Sequence, residues 1–169
     1  MTTDEVVELA WQARWEDHRA QQRASPQRAI VVRIADEDPP TLLFTDKALK
    51  RHDGLTKAQS SLLAQARIGD IGLRDYLFRV KVPQVPTPYC ACGQGRETVE
   101  HLVVWCPDPP LQRPWEQRQI RSHRDLQTVF RGVPGNIRLV RQVLGWLMDS
   151  GRLLEYRLAR KLDLEIVEG

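Results

Sequence analysis

The sequence has few cysteines and no long apolar run. Its three cysteines are an odd number, which argues against a disulfide framework and favours a reducing, intracellular compartment where thiols stay free to hold a metal. Residues 1–5 are acidic and lack the basic-then-apolar layout of a signal peptide. No stretch approaches the roughly 20 apolar residues that a membrane span needs, so we expect no membrane association.

The motifs of several enzyme classes are also absent. There is no glycine-rich phosphate loop, no Gly-x-Ser-x-Gly and no His-Glu-x-x-His. A two-metal nuclease needs several carboxylates aimed at one point from strands, and the pattern offers no such strands. Ser60 and Ser61 have no base nearby in the sequence, while His18, His52 and His123 are isolated. We therefore expect no catalytic residues and no enzymatic activity.

Arginine dominates the positive charge, and that charge is unevenly distributed. Of 25 basic residues, 20 are arginine. Residues 1–40 carry five basic and eight acidic residues, a net charge of −3, whereas residues 109–161 carry eleven basic and four acidic residues, a net charge of +7. The forked guanidinium suits phosphates and stacks on bases. The bias indicates either a functional basic face or the codon usage of a GC-rich genome.

Apolar periodicity predicts a first amphipathic helix. Val7, Trp11 and Trp15 recur every four residues, and the pattern stops before Ser25-Pro26. Tryptophans on such a stripe usually belong to a core. The alternatives are that they stack on bases or that the Val7/Trp11/Trp15 face binds a protein partner.

Caps and breakers predict further short helices, so the fold class is mostly α. Capping-box spacing occurs at Thr2–Glu5 and at Thr56–Gln59, and Ser122 is a further N-cap. The predicted helices lie within 45–51, 56–69, 71–79, 111–121, 123–131, 136–151 and 153–162. The residues expected to face inward are Leu73, Tyr76, Leu77, Val140, Leu144 and Leu147. The helix within 56–69 is expected to run through Leu62, Leu63, Ala66 and Arg67 and to stop at Gly69. Residues 29–34 fit either a strand or a helical extension, and residues 36–40 fit a turn.

Proline-rich joints flank the cysteines. Residues 82–88 contain three prolines in seven positions, and residues 107–110 contain three in four. Because proline lacks an N–H and restricts the residue before it, both segments are predicted to be extended. The predicted organisation has three parts: an N-terminal helical region at 1–88, a zinc-knuckle-like module at 89–107, and a basic helical region at 108–169 that packs with the first.

Cysteine and histidine cluster within the predicted module. Cys90, Cys92, His101 and Cys106 fall within 17 residues, and every cysteine of the chain is included. Three thiolates and one imidazole are a common tetrahedral set for structural zinc. The alternative is buried thiols beside a surface histidine. We expect one structural Zn²⁺ per chain, with no position left for an activated water.

The spacing of the last two ligands constrains the local helix. Thr98 is placed to cap a helix that directs His101 at the metal. Cys106 follows five residues later, about one and a half α-helical turns, so the helix must fray or tighten for both to reach.

Basic and aromatic residues around the module predict a nucleic-acid-binding surface. Trp105 and Trp115 are candidate stacking platforms for bases. The candidate phosphate contacts are Arg96, Arg113, Arg118, Arg121, Arg124, Arg138 and Arg141. RNA or single-stranded DNA is the expected partner, and the alternative is an interaction module in which zinc is purely structural.

Two segments resemble the C-terminal region of fungal non-LTR retrotransposon polyproteins. The first runs from Gly54 to Leu77, and the second is Cys90-Ala-Cys-Gly-Gln-Gly-Arg-Glu-Thr-Val-Glu-His-Leu-Val-Val-Trp-Cys-Pro107. The family pattern Cys-x-Cys-Gly, Glu-Thr-x-x-His, Cys-Pro matches this second segment. Residues 146–154 are similar to the family's last helices, whereas Arg67-Ile68-Gly69 departs from the family's Arg-Thr-Gly.

The resemblance implies a C-terminal module that contacts the element's RNA or target DNA near the polymerase. In that family the region follows reverse transcriptase and RNase H domains, and their catalytic carboxylates lie outside this chain. The resemblance therefore implies binding without catalysis. We expect an isolated fragment, a decayed copy or a co-opted gene.

Overall fold

The computed structural model describes residues 2–24, 50–131 and 136–168. The chain divides into two compact units, Met1–Lys50 and Arg51–Gly169. In the described residues all regular structure is helical, which confirms the predicted class, and one isolated antiparallel bridge pairs Tyr89 with Arg96. The helices are α1 Thr3–Ala24, α2 Lys57–Ile68, α3 Arg74–Arg79, a π-helical turn His101–Trp105, α4 His123–Phe130, α5 Ile137–Asp149 and α6 Tyr156–Glu168.

The described part of the first unit is the single helix α1. Thr2 and Glu5 form the predicted capping interaction, because the Thr2 N–H donates to Glu5 Oε2 and the Glu5 N–H donates to Thr2 Oγ1. The prediction of a buried tryptophan stripe is wrong for Trp11, which is 56% exposed, and Val7 is 51% exposed. Trp15 is half-buried. The elements predicted at 29–34 and 36–40 lie outside the described residues. Of the helix predicted at 45–51, only Lys50, which is helical, and Arg51, which lies in a turn, are described.

Helix α2 contributes its apolar face to the core of the second unit. Thr56 and Gln59 form the predicted capping box, and Gly69 ends the helix in the left-handed region with φ 75°. Leu62 and Leu63 are completely buried. The helix packs against α5 and α6, and these contacts account for the burial of its apolar face.

Helices α4 and α5 confirm the predicted caps and stripe of the C-terminal region. The Ser122 hydroxyl accepts the N–H of Asp125 at the start of α4. On α5 the predicted inward residues Val140, Leu144 and Leu147 are at most 1% exposed. The predicted loop at 132–135 lies outside the described residues.

Residues 111–121 form turns rather than the predicted helix. Trp115 is 6% exposed and makes an edge-to-face contact with Trp146, with ring centroids 5.4 Å apart. The indole N–H of Trp146 donates to the carbonyl of Leu111. Burial of two aromatic rings and this long-range hydrogen bond outweigh the local helical propensity of a segment that Pro114 already weakens.

Two further helices differ from their predicted bounds. Helix α3 begins at Arg74 rather than near residue 71, and it buries Asp75 while Tyr76 and Leu77 are only half-buried. Helix α6 begins at Tyr156 rather than at Leu153. No helix of the described ranges is long and apolar enough to cross a membrane.

Candidate metal centre and its surroundings

A tight turn positions the first two cysteines. The N–H of Cys90 donates to the carbonyl of Gly95 across 2.8 Å, and the N–H of Gly93 donates to the carbonyl of Cys90 across 3.0 Å. Gly93 has φ 73°, a conformation that a residue without Cβ adopts readily. The Tyr89–Arg96 bridge closes this loop, so the thiols of Cys90 and Cys92 are held on one short hairpin.

A widened helical turn positions the other two candidate ligands. The Thr98 hydroxyl accepts the N–H of His101 at 3.1 Å, as a predicted cap should. The N–H of Cys106 then donates to the carbonyl of His101 at 2.6 Å, a π-type bond that spans five residues. The helix therefore widens, and the expectation that it would fray or tighten is wrong. One wide turn brings the fifth residue back toward the face of the first.

The four predicted metal ligands come together. Their ligand atoms all lie within 4.8 Å of one another, and all three cysteines are free thiols. His101 Nε2 lies 3.2 Å from Cys92 Sγ, and the Sγ atoms of Cys90 and Cys106 are 3.8 Å apart. Cys90, Cys106 and His101 are buried, while Cys92 is half-exposed. The cluster is compact enough to hold one metal ion.

Three of the four candidate ligands, Cys92, His101 and Cys106, have shifted pKa values. Burial raises the pKa of the Cys106 thiol to about 12. Burial, together with the positive charge of Arg113, lowers the pKa of His101, which keeps its imidazole neutral and able to coordinate. The backbone N–H of Gln94 lowers the pKa of Cys92. Metal binding must release protons from buried thiols, and a divalent cation supplies the charge that stabilises the resulting thiolates.

Arg113 donates hydrogen bonds to the backbone that carries the candidate ligands His101 and Cys106. Its Nε and Nη2 atoms donate to the carbonyl of Leu102 at 3.2 and 2.8 Å, and Nη2 also donates to the carbonyl of Cys106 at 2.9 Å. These carbonyls belong to the π-helical turn and its end. The guanidinium predicted to contact phosphate is thus engaged in fixing the backbone of a metal ligand, so Arg113 is a positioning residue.

Two buried carboxylates attach the module to α3. Glu97 is 2% exposed; its Oε1 accepts the N–H of Arg74, and its Oε2 lies 3.5 Å from the guanidinium of Arg152. Asp75 is 3% exposed and pairs with Arg96 and Arg79. Arg96, a predicted nucleic-acid contact, is therefore held in an ion pair. Sequence reasoning missed Asp75 because its partner lies 21 residues away.

The other predicted nucleic-acid residues differ in their surroundings. Trp115 is buried, so its prediction as a stacking platform is wrong, whereas Trp105 is 56% exposed. Two exposed arginines have partners within the chain: Arg118 pairs with Glu116, and Arg141 donates to the carbonyl of Gly54. Three are exposed and form no ion pair among the described residues: Arg121, Arg124 and Arg138.

A serine–histidine contact escaped the sequence analysis. His52 Nδ1 lies 2.6 Å from the hydroxyl of Ser60, although eight residues separate them. The hydrogen bond from Leu55 N–H to the carbonyl of His52 closes the intervening turn. Within the described residues no carboxylate is hydrogen-bonded to this imidazole, so the third group of a hydrolytic triad is missing. The contact ties the turn to α2.

Comparison with known proteins identified no relative of this chain. No protein-family model matches it, and neither a curated protein nor a solved structure is significantly similar to it.

Proposed function

We propose that the protein is a zinc-stabilised module that binds RNA or single-stranded DNA and has no catalytic activity of its own. The single observation that carries the proposal is the convergence of Cys90, Cys92, His101 and Cys106 into a cluster whose ligand atoms lie within 4.8 Å of one another. The same compact unit also carries exposed arginines that form no ion pair with any acid of the described residues. The resemblance to the C-terminal region of fungal non-LTR retrotransposon polyproteins supports the same function.

Zinc is the metal that this donor set favours. Three thiols and one imidazole match the tetrahedral S₃N preference of Zn²⁺ and exclude the oxygen-rich environment that Mg²⁺ and Ca²⁺ require. With four protein ligands the ion has no open position, which makes its role structural. The three free thiols agree with a reducing, intracellular compartment, nuclear or cytoplasmic.

Unpaired arginines supply the affinity for phosphate. Arg121, Arg124 and Arg138 are exposed, and the described residues provide no carboxylate that forms an ion pair with their guanidiniums. Arg157 on α6 is exposed in the same way. Because no acid among the described residues neutralises them, these charges remain available to displace counterions from a nucleic acid.

Two measurements on the full chain test the proposal. We expect elemental mass spectrometry to find about one zinc per chain, and Cys106→Ser to lose the metal and unfold. We expect titration with labelled single-stranded RNA or DNA to show binding that weakens as salt rises, with a log–log slope of about −0.7 for each phosphate contacted. Metal-free folded protein would refute the structural role of zinc, and absent or salt-independent binding would refute the nucleic-acid function.

Binding of a protein partner is a second candidate function, favoured by the exposure of α1. Val7 and Trp11 are each more than half exposed, and the half-buried Trp15 continues their stripe. An amphipathic helix of this kind suits a hydrophobic groove on a partner. Light scattering tests self-association through this face. If the wild type forms an oligomer, we expect Trp11→Ser to reduce its mass to that of the monomer. A wild-type chain that is already monomeric excludes self-association.

A further inference from the structure

One carboxylate joins an exposed tryptophan to the start of α4. Glu100 Oε1 accepts the indole N–H of Trp105 at 3.1 Å, and Glu100 Oε2 lies 2.9 Å from Nδ1 of His123, the first residue of α4. Trp105 is the last residue of the π-helical turn and precedes the ligand Cys106. Glu100 thus links the turn of Trp105 to the start of α4. We give the name Trp105 patch to these residues together with the two exposed arginines beside His123 in the chain: Glu100, Trp105, Arg121, His123 and Arg124.

The indole of Trp105 is exposed and held in place. It is 56% exposed, whereas Trp115 and Trp146, the other tryptophans of this unit, are 6% and 4% exposed. Its only polar atom is already engaged by Glu100, so the exposed part of the ring is apolar and restrained. A restrained aromatic ring in solvent loses little conformational freedom when a flat partner stacks on it.

Two arginines that form no ion pair within the described ranges flank the same helix start. Arg121 and Arg124 are exposed and lie on either side of His123 in the chain. Their Cα atoms are at most about 11 Å apart, because consecutive Cα atoms are about 3.8 Å apart. The Arg121 N–H donates to Asp125 Oδ2 at 2.8 Å, and Ser122 caps α4, so the backbone that carries both side chains is fixed.

The acids of this region accept hydrogen bonds from groups other than the arginines. Asp125 accepts the backbone N–H of Arg121, and Glu100 interacts with the indole and the imidazole. Neither carboxylate forms an ion pair with Arg121 or Arg124 among the described residues. The apolar ring of Trp105 and the guanidinium groups of Arg121 and Arg124 are therefore exposed, while the carboxylates of Glu100 and Asp125 form hydrogen bonds within the fold.

We propose that the Trp105 patch binds single-stranded nucleic acid, with one base stacked on Trp105 and neighbouring phosphates bound by Arg121 and Arg124. This inference rests on the proposed function and names its contact surface. Only an unpaired strand exposes the face of a base, whereas a duplex buries those faces by stacking. Because every base has such a face, recognition here is tolerant of sequence.

The metal centre and the patch are coupled through the chain. Trp105 lies between the ligands His101 and Cys106, and the hydrogen bond between those two residues shapes its turn. Loss of the metal should therefore disorder the turn that positions the indole of Trp105. Zinc would act on nucleic-acid affinity through the position of Trp105, without contacting the nucleic acid itself.

Fluorescence anisotropy with labelled homopyrimidine RNA and DNA strands tests the patch on the zinc-loaded full chain. We expect Trp105→Ala to weaken binding about tenfold with an unchanged salt slope, since stacking involves no counterion release. We expect the double variant Arg121→Gln/Arg124→Gln to reduce the salt slope by about 1.4, because each phosphate contact to a single strand contributes about 0.7. Arg160→Gln is the matched control, since both Nε and Nη2 of that guanidinium already donate to the carboxylate of Asp149.

A second readout covers the case in which Trp105→Ala fails to fold. Trp105→Phe keeps an apolar ring, and its zinc content verifies the fold. We expect nucleic acid to quench the tryptophan emission of the wild type and to quench that of Trp105→Phe much less. Equal quenching in both proteins would overturn the inference.

The remaining outcomes separate this inference from the proposed function. Wild-type binding that neither Trp105→Ala nor the double arginine variant weakens would overturn the patch and leave the nucleic-acid function standing. Equal affinity for a duplex would also overturn it, and no binding of any strand by the wild type would refute both. The RNA and DNA arms identify which single strand is preferred.

Discussion

The backbone N–H of Cys106 donates to the carbonyl of His101 across 2.6 Å, which closes a π-helical turn between two candidate metal ligands. In an α-helix, residues five apart point in different directions, about 140° from each other around the axis. The wider turn reduces this angular separation, and the ligand atoms of His101 and Cys106 join the same cluster. Insertions of this kind recur at functional sites because they reorient a side chain without ending the helix.

Gly95 leaves room for the imidazole of His101. A Cβ added at Gly95 would lie 2.9 Å from His101 Nδ1, whereas a Cβ at Gly93 would meet nothing within 4 Å. We expect Gly95→Ala to displace the imidazole and weaken zinc binding about tenfold, the lower end of the loss usual when the support of a ligand changes. Competition with a chromogenic chelator measures this affinity.

Gly93→Ala is the matched control for this prediction. It introduces the same methyl group at φ 73° in open space, so we expect a loss of about 1 kcal/mol in folding stability and little change in zinc affinity. Equal zinc affinities in the two variants would contradict the role given to Gly95.

The buried carboxylate of Glu97 should contribute to the stability of the module. It accepts the Arg74 N–H and forms ion pairs with the guanidiniums of Arg74 and Arg152. We expect Glu97→Gln to lower the free energy of unfolding by about 2 kcal/mol, since hydrogen bonds to buried charged groups are among the stronger ones. Urea unfolding of the zinc-loaded protein measures the loss. Glu116→Gln, which removes the exposed ion pair with Arg118, is the control and should change the free energy of unfolding by less than about 0.5 kcal/mol. Similar losses of stability in the two variants would argue against the role of Glu97.

The stability should depend on pH through His52. Burial, followed by the positive charges of Arg51 and Arg67, lowers the pKa of His52 below its usual value of 6.5. As the pH falls below 6.5, His52 of the unfolded chain takes up a proton before His52 of the folded protein does. The free energy of unfolding is therefore highest above pH 6.5, and it decreases as the pH falls from there toward the pKa of His52 in the folded state. We expect His52→Asn, which does not titrate but can still bond Ser60, to show a smaller loss.

Unfolding free energies at about pH 7.5 and about pH 5.5 provide the comparison for His52. The pKa of His101 is also lowered, but both proteins contain His101, so its contribution cancels in the difference. Ser60→Ala serves as the control, because it removes the hydroxyl and keeps the titrating group. An identical pH dependence in the wild type and His52→Asn would show that the lowered pKa of His52 does not affect folding.

Arg113 should act on the metal centre rather than on phosphate. Lysine offers one ammonium and cannot reproduce the forked contacts with the carbonyls of Leu102 and Cys106. We expect Arg113→Lys to lower stability by about 1–3 kcal/mol and to weaken zinc retention, with the salt slope of nucleic-acid binding unchanged. Arg118→Lys is the control at an exposed site. An unchanged stability combined with a changed salt slope would place Arg113 on the binding surface instead.

The elements that could be predicted from the sequence depend on short-range geometry. The capping boxes at Thr2 and Thr56 each join residues three positions apart, and the stripe of α5 repeats within two turns. The four metal ligands lie within 17 residues, so their chemistry and spacing indicated the cluster before any fold was known. Each of these features is determined by neighbours in the chain.

The elements that were mispredicted depend on contacts between distant residues. The helix expected at 111–121 does not form, because Trp115 packs on Trp146 of α5. Arg96 was assigned to phosphate, but Asp75, 21 residues earlier, binds its guanidinium. The exposure of Trp11 could not be inferred either, since a periodic stripe indicates an amphipathic helix and not what covers it.

The sequence by itself determined the donor set, the helical class and the excess of arginine, because composition and local periodicity encode them. Only the tertiary structure decided which arginines are exposed and form no ion pair in the part of the chain that the structure describes, and which of Trp105 and Trp115 reaches solvent. A side chain becomes available for binding only when the fold brings it no partner of its own. That outcome depends on packing between α4, α5 and the metal module, which no local pattern records.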